Sequence, residues 1–220
     1  MLRSVVPLTS PTERSTSRSN FDANIDTIAA TGAEAAVTSA SIISRGKCER
    51  SGYNSARSAS GKTTLAKILS EKYDCNVFHI DDFFLRPEQR TPERFAEIGG
   101  NFDRERFQGE VLQSLINNEN VTYRRFNCST QTLEAPITVF PTKITVVEGA
   151  YSMHPSLGSY YDIAVLLDIE PEYQRERILI RNSKDLAKRF FDEWIPLENR
   201  YFEATDIKNR ADMIFRIYKN

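Results

Sequence analysis

The sequence predicts a three-layer α/β domain with a mainly parallel sheet, and three observations support this. Helical and extended segments alternate along most of the chain, as they do when crossover helices connect parallel strands. Two apolar runs, Ile144–Val147 and Ile163–Ile169, show almost no hydrophobic alternation, which is typical of parallel strands covered on both faces. The chain has 220 residues, 40% of them hydrophobic and 27% charged, which is enough for the core of one domain.

The remaining elements each have a local signal. Gly61–Tyr73 and Asp103–Ile116 carry apolar residues at helical spacing, so two amphipathic helices are predicted there. Cys75–Ile80 is a short apolar run that leads into two aspartates, and Met213–Tyr218 has the composition of a last strand. Pro171 is expected to begin a helix, because proline's missing N–H costs nothing in a first turn.

The N-terminal part of the chain differs in composition from the rest. Residues 1–46 are rich in Ser, Thr and Ala, which predicts a flexible extension because little apolar surface offsets the ordering entropy. Residues 47–220 form the predicted domain. The Arg and Ser bias of the opening also occurs in organelle transit peptides, although Glu13, Asp22 and Asp26 count against that interpretation.

Composition excludes several function classes. Twenty-nine basic and 30 acidic residues leave a net charge of -1, so no overall field attracts nucleic acid or an anionic membrane. Three cysteines, Cys48, Cys75 and Cys128, and two histidines lack the spacing of a zinc site. No apolar run approaches the roughly 20 residues that span a bilayer. We expect a cytoplasmic protein with reduced thiols; the sequence carries no signal for an oligomeric state.

The strongest chemical signal is a run of small, hydroxylated and basic residues before the first predicted helix. Glycine at Gly61 lets the main chain approach a phosphate, and the N–H groups of the loop and helix start donate to it. Lys62 can reach the outer phosphates and the Thr63 hydroxyl can bind Mg²⁺. The predicted nucleotide-binding residues are Ser58, Ala59, Ser60, Gly61, Lys62, Thr63 and Thr64.

The segment before this loop departs from the usual phosphate-binding pattern. That pattern has glycine where this chain has Ala56. The preceding stretch, Lys47–Ser55, is polar and unsuited to the centre of a sheet, and the nearest apolar candidate is Ala40–Ser44. Two alternatives follow: an insertion separates the first strand from the loop, or that strand is damaged or absent.

Acidic residues stand at the ends of two predicted strands. Asp81 and Asp82 follow the Cys75–Ile80 run, and a carboxylate there projects into the crevice where open α/β sheets bind ligands. Asp81 is the candidate base for an attacking hydroxyl, and Asp82 the candidate contact to substrate or to the metal shell. Glu148 ends another strand and is the candidate Mg²⁺ ligand. His79 is interpreted as a strand residue rather than a catalyst.

The helix that begins at Pro171 carries Arg175, Arg177 and Arg181. Arginines on a helical lid, near residues 175 to 190, can neutralise charge on a transferring phosphoryl group. Arg177 and Arg181 share one face at i,i+4 and are the candidate catalytic pair. The alternative is a solvated basic face whose charges pair with neighbouring acids.

The chain from Ser58 to the C-terminus resembles the uridine kinase-like branch of P-loop small-molecule kinases, the relatives of uridine kinase and phosphoribulokinase. The resemblance rests on the phosphate loop, on the segments around the strand-end acids and on two further segments. The phosphate loop is shared by very many nucleotide-hydrolysing proteins, whereas the longer strings are specific to the branch. The matching segments are Ser60–Thr64, His79–Pro87, Gly99–Asp103, Glu148–Pro155 and Glu193–Glu198.

The resemblance implies a P-loop NTPase fold with a helical lid and assigns roles to matching positions. Asp81 falls where the family has its catalytic base, and Lys62 and Thr63 where it binds ATP phosphates and Mg²⁺. Glu148 matches the second acid. Tyr123 with Arg124 lies in the region that meets the phosphoryl acceptor.

The expected function is ATP- and Mg²⁺-dependent phosphoryl transfer to a hydroxyl of a small metabolite, with a nucleoside such as uridine as the first choice. Side chains that can contact the base or sugar are Tyr123, Arg125, Asn127 and His154. One alternative is a kinase for another hydroxylated metabolite, such as a sugar phosphate or vitamin precursor. The other is a nucleotide-binding protein without catalysis, because the segment before Ser58 is unusual.

Overall fold

The structure is a computed structural model that describes residues 43–44, 52–158 and 160–219. The predicted extension therefore lies outside the described residues except for Ile43 and Ser44. The strands are β1 (Ile43–Ser44), β2 (Gly52–Ala56), β3 (Cys75–His79), β4 (Val121–Tyr123), β5 (Phe126–Asn127), β6 (Thr132–Leu133), β7 (Ile137–Val139), β8 (Ile144–Glu148), β9 (Ile163–Ile169) and β10 (Met213–Ile217).

The two predicted amphipathic helices and the helix expected to begin at Pro171 are present, and the structure adds helices that were not predicted from the sequence. The helices are α1 (Lys62–Lys72), α2 (Pro92–Ala96), α3 (Arg104–Phe107, a π-helical segment Gln108–Leu112 and Gln113–Ile116), α4 (Pro171–Arg181), α5 (Lys184–Arg189, a π-helical segment Phe190–Trp194 and Ile195–Ala204) and α6 (Ile207–Arg210). Short 3-10 turns cover Ile80–Phe83, Pro87–Gln89 and Pro155–Leu157. None of the helices in the described part of the chain is long and apolar enough to cross a membrane.

The main sheet has five parallel strands. β8 pairs with β3 along one edge and with β2 along the other. β9 lies between β2 and β10 and pairs with both. β1 is antiparallel to the start of β8, with Ile43 opposite Thr145. Because the other five strands are parallel, the carboxyl ends of β2, β3 and β8 lie at one edge of the sheet.

The central position of β2 corrects an expectation from the sequence. Gly52–Ala56 pairs with β8 from Gly52 opposite Val146, and with β9 as far as Ala56 opposite Leu167. The strand leads directly into the Arg57–Ser60 loop, so the expected insertion and the expected absence of this strand are both wrong. Backbone hydrogen bonds to two strongly apolar neighbours decide the pairing here, and this context overrides the low strand propensity of the segment.

Helices cover both faces of the sheet. On one face, the apolar side of α1 packs against Val146 of β8 through Leu65, Ala66 and Leu69. On the other face, the next residue of β8, Val147, joins a larger core with α3 and with Tyr201 of α5. Alternate residues of β8 therefore point into different cores, which explains the run without hydrophobic alternation.

Two small antiparallel ribbons lie between α3 and β8 in the chain. β4 pairs with β7, and β5 pairs with β6. Tyr123 of β4 packs its ring against Phe78 and Phe83, and this aromatic group joins the ribbon to the main core. The ribbon thereby brings Arg125, the next residue but one, towards the carboxyl end of β3.

Candidate active site

A tight loop connects β2 to α1. Ser60 N–H donates to the carbonyl oxygen of Arg57 at 3.2 Å. Ala59 and Gly61 both take left-handed conformations, with φ of 61° and 100°, and Gly61 is the N-cap of α1. The first N–H groups of a helix lack carbonyl partners within it, so this loop and helix start form an anion-binding arrangement.

Lys62 supplies the positive charge at this site. Its ammonium donates to the carbonyl oxygen of Arg57 at 3.1 Å, across the loop. The charge of Lys62 also acts on three carboxylates: it opposes the rise in pKa that loss of hydration causes at Asp81, Glu148 and Glu198. The ammonium therefore lies at the centre of an acidic environment.

Glu148, at the end of β8, contacts the helix start and β3 at once. Thr63 Oγ1 donates to Glu148 Oε1 at 3.1 Å, and His79 Nδ1 lies 2.5 Å from the same oxygen. Burial raises the pKa of Glu148, but the hydrogen bond with His79 and the charge of Lys62 outweigh it, so the pKa is lowered. The same hydrogen bond raises the pKa of His79 against the effect of burial.

The Thr63 hydroxyl and the Glu148 carboxylate fit a magnesium ion. Both are hard oxygen donors, and Mg²⁺ is usually held by one or two carboxylates together with phosphate oxygens and water. Within the described ranges, no group of three or more His, Cys, Asp or Glu side chains is placed to hold a metal.

Asp81 lies in the 3-10 turn that follows β3 and is exposed to solvent. Surrounding protein atoms nevertheless remove much of its hydration, and this is the first cause that raises the pKa of Asp81 to about 6. The negative charge of Glu148 raises it further, while Lys62 and His79 oppose the shift. A carboxylate with such a pKa is suited to accept a proton near neutral pH.

Asp82 points towards the β4–β5 segment. Its Oδ2 lies 3.2 Å from Nε of Arg125, whose guanidinium is half exposed. Loss of hydration raises the pKa of Asp82, and the charge of Arg125 opposes this. Arg125 also makes a hydrogen bond with Tyr123, which raises the pKa of the arginine. The pair presents a carboxylate and a guanidinium beside Asp81.

Three other candidates for substrate contact have partners within the fold. The Tyr123 ring is buried between Phe78 and Phe83. The Arg124 guanidinium donates to the carbonyl oxygens of Leu133 and Glu134. The buried imidazole of His154 lies parallel to the Tyr201 ring and hydrogen-bonds with the carbonyl of Ile98 and the hydroxyl of Ser156. The structure brings Asp82 and Arg125 together near Asp81 and gives Tyr123, Arg124 and His154 other contacts.

The two arginines predicted as a catalytic pair, Arg177 and Arg181, lie on α4. Loss of hydration and the nearby Arg177 lower the pKa of Arg181, and the carboxylates of Asp81 and Glu198 oppose this. Arg181 therefore lies within electrostatic reach of the acidic site. Each guanidinium also stands over an aromatic ring, 5.6 Å from the ring centre: Arg177 over Tyr173 on its own helix, and Arg181 over Phe190 of α5.

Glu198 is a site residue that sequence reasoning missed. This buried acid on α5 accepts a hydrogen bond from Ser58 N–H at 2.9 Å and another from the Ser58 hydroxyl. Burial raises its pKa against the opposing effects of Lys62 and Ser58. The sequence does contain a signal for its burial. Glu198 lies three residues after Ile195 and three before Tyr201, so it shares the side of the helix on which these apolar residues lie.

Comparison with solved structures gives three informative likenesses. A possible uridine kinase from Bacillus stearothermophilus is 22% identical, with a TM-score of 0.60, over 90% of this chain and 98% of that one. A candidate fructose transport system kinase from Silicibacter sp. TM1040 is 22% identical, with a TM-score of 0.56, over 69% of this chain and 83% of that one. The YGR205w protein is 14% identical, with a TM-score of 0.51, over 90% and 91% of the two chains.

The chain has a P-loop kinase-like fold. The predicted resemblance to this group is confirmed by these structures, and their low identities establish the fold alone. No family model matches the chain, and a search of curated proteins found no significant match. In this P-loop kinase-like fold, Lys62, Thr63, Asp81 and Glu148 converge at the carboxyl edge of the sheet.

Gly149 offers a test of how the packing positions Asp81. It has φ of 150°, and an added Cβ would lie 2.4 Å from Cβ of Ile80, the residue before Asp81. Gly149→Ala should therefore lower the free energy of unfolding by about 2 kcal/mol or more, through overpacking and backbone strain. Urea denaturation measures this change.

Gly109→Ala is the matched control, because an added Cβ there meets nothing within 4 Å. Its helical position predicts a gain of up to about 1 kcal/mol. Equal stabilities for the two variants would contradict the close packing of Gly149 on Ile80.

Proposed function

We propose that this chain is an ATP- and Mg²⁺-dependent kinase that transfers the γ-phosphoryl group to a hydroxyl of a small metabolite. In this proposal the sheet and its helices form a three-layer P-loop NTPase fold, with α4 and the start of α5 as the lid. The observation that carries the proposal is the convergence of Lys62 and Thr63 with Asp81 and Glu148. Phosphoryl transfer requires groups that bind phosphate, hold a metal ion and accept a proton, and a positive helix start beside two acids at strand ends can supply all three.

Binding of the nucleotide phosphates is assigned to the loop and the first turn of α1. The N–H groups from Gly61 to Thr63 donate to phosphate oxygens, and the ammonium of Lys62 exchanges the Arg57 carbonyl for a phosphate. Thr63 and Glu148 hold Mg²⁺. The ion, when bound, neutralises negative charge on the phosphates and on the transferring group.

Asp81 is the proposed catalytic base. With a pKa of about 6, its carboxylate is about nine-tenths ionised at pH 7 and still accepts a proton readily. It orients the acceptor hydroxyl and takes its proton as the hydroxyl oxygen attacks the γ-phosphorus, while the bond from that phosphorus to the bridging oxygen breaks and ADP leaves. Arg181, within reach of Asp81, stabilises negative charge on the transferring group.

A nucleoside is the acceptor we propose first. Asp82 and Arg125 offer a hydrogen-bond acceptor and donors beside Asp81, a combination that suits sugar hydroxyls and a polar base edge. The likeness to a possible uridine kinase supports this choice. A cytoplasmic setting, rich in ATP, also suits the free thiols of Cys75 and Cys128.

The direct test combines calorimetry with an acceptor panel. The purified chain is titrated with ATP and Mg²⁺ and then incubated with labelled ATP and nucleosides, sugar phosphates or vitamin precursors. Micromolar binding with a labelled nucleoside product supports the proposal. Product from another acceptor class supports phosphoryl transfer but not nucleoside specificity, and binding without any product supports a nucleotide-binding protein without catalysis.

Lys62→Ala should weaken ATP binding by at least about a hundredfold, because a charge-assisted contact to phosphate and the counter-charge for Asp81 and Glu148 are both lost. Calorimetric titration measures the dissociation constant. Lys67→Ala is the control, since Lys67 on the same helix is exposed and pairs with Glu71. ATP affinity unaltered by Lys62→Ala would contradict the assigned phosphate site.

Asp81→Asn should leave ATP affinity within about threefold of the parent and reduce kcat by about a hundredfold or more, because the amide cannot accept the proton. A coupled assay of ADP release measures kcat. Asp74→Asn, at an exposed aspartate before β3, is the control. Parent-like turnover by Asp81→Asn would show that Asp81 is not the base.

The raised pKa of Asp81 predicts a pH dependence. Only the ionised carboxylate accepts a proton, so kcat/KM should fall about tenfold per pH unit below about pH 6 and level off above it. An aspartate with an ordinary pKa would keep activity to about pH 4. His79, whose pKa is also raised, loses its proton as pH rises and affects the alkaline side. A profile that stays flat down to pH 5 would contradict the assignment.

A further inference from the structure

Buried side chains of α4 and α5 bind every polar group of Ser58. Glu198 accepts hydrogen bonds from the Ser58 N–H and hydroxyl. Gln174 Nε2 donates to the Ser58 carbonyl oxygen at 2.8 Å. Both partners are almost inaccessible to solvent, with 5% exposure for Glu198 and 3% for Gln174. Three hydrogen bonds with α4 and α5 thus hold one residue of the phosphate loop.

Neighbouring contacts extend this attachment along the loop. Ala59 is buried against Ile178 of α4 and Ala187 of α5. The Arg57 guanidinium contacts Asn199 of α5 through a hydrogen bond and lies over the ring of Phe202. The loop therefore packs as part of α4 and α5, and its left-handed turn at Ala59 is enclosed by them.

A buried carboxylate is costly unless cations and hydrogen bonds compensate for its lost hydration. Glu198 has both, since Lys62 and Arg57 act on its charge and Ser58 donates to its two oxygens. Its contact with the loop involves Ser58 and leaves the helix-start N–H groups of Lys62 and Thr63 to a ligand. The carboxylate thus fixes the loop without using those phosphate donors.

We propose that Glu198 is a positioning residue that holds the phosphate loop in its nucleotide-binding conformation and couples it to α5. This inference rests on the proposed function and deepens it. It assigns a role to an acid that contacts neither the proposed metal ligands nor the proposed base through a hydrogen bond. The role is exerted through Ser58.

Glu198→Gln tests this role with little change of shape. The two Ser58 donors face different oxygens of the carboxylate. Glutamine replaces one of these oxygens by an NH2 group and removes the negative charge, so the two donors no longer each have an acceptor oxygen. ATP affinity, measured by calorimetry with Mg²⁺, should weaken about tenfold, while the KM of the acceptor stays within about twofold. Hydrogen exchange of the Ser58 amide in the nucleotide-free chain should become faster. Glu203→Gln, at an exposed acid on the same helix, should change none of these.

Ser58→Ala changes the loop side of the same contact and leaves the Glu198 carboxylate in place. It removes the hydroxyl donor and should weaken ATP binding about threefold. It also decides the question if Glu198→Gln fails to fold. In the double variant the two effects should not add, because both act through one contact.

The outcomes separate this inference from the proposed function. If the parent binds and turns over ATP while Glu198→Gln binds it as tightly or more tightly, the positioning role is overturned and the kinase proposal stands. If Ser58 exchange is unchanged in Glu198→Gln, the positioning role is likewise overturned. If the parent binds no ATP, the proposed function fails, and the nucleotide part of this inference fails with it.

Discussion

The interaction on which the site depends is the attraction between one ammonium and the carboxylates around it. Lys62 acts on Asp81, Glu148 and Glu198, which come from three different elements of the chain. Loss of hydration raises the pKa of each acid, and the charge of Lys62 opposes that rise at all three. A polyanion can enter such an acidic site together with a divalent cation, because the cation offsets part of its negative charge beside the carboxylates.

The parallel sheet makes this convergence possible. β2, β3 and β8 end at one edge, where the loop before α1, the Asp81 turn and Glu148 meet. Position along each strand is fixed by pairing, as the register of His79 opposite Glu148 shows. The helices α4 and α5 then attach to the loop through Ser58 and Ala59. The proposed lid and the phosphate loop are consequently one packed unit rather than independent parts.

Short local segments of the sequence indicated which residues would lie together, and the chemical roles of these residues stay predictions. Lys62, Thr63, Asp81 and Glu148 each follow a strand or open a helix, so their meeting could be predicted from element order alone. The strand β2 could not, because its pairing comes from neighbours more than ninety residues away in the chain, opposite Val146 and Ile163. Glu198 was missed because its partner, Ser58, is distant in sequence. His154 was predicted to contact a ligand because it is polar, but in the fold it packs against Tyr201 and makes hydrogen bonds with Ile98 and Ser156.

The most direct measurement is the position of the Lys62 ammonium in a crystal structure with Mg²⁺ and a non-hydrolysable ATP analogue. The account predicts that Lys62 leaves the Arg57 carbonyl and contacts the outer phosphates, with the Thr63 hydroxyl and Glu148 beside the metal. An analogue bound elsewhere, with the ammonium still on the Arg57 carbonyl, would contradict it.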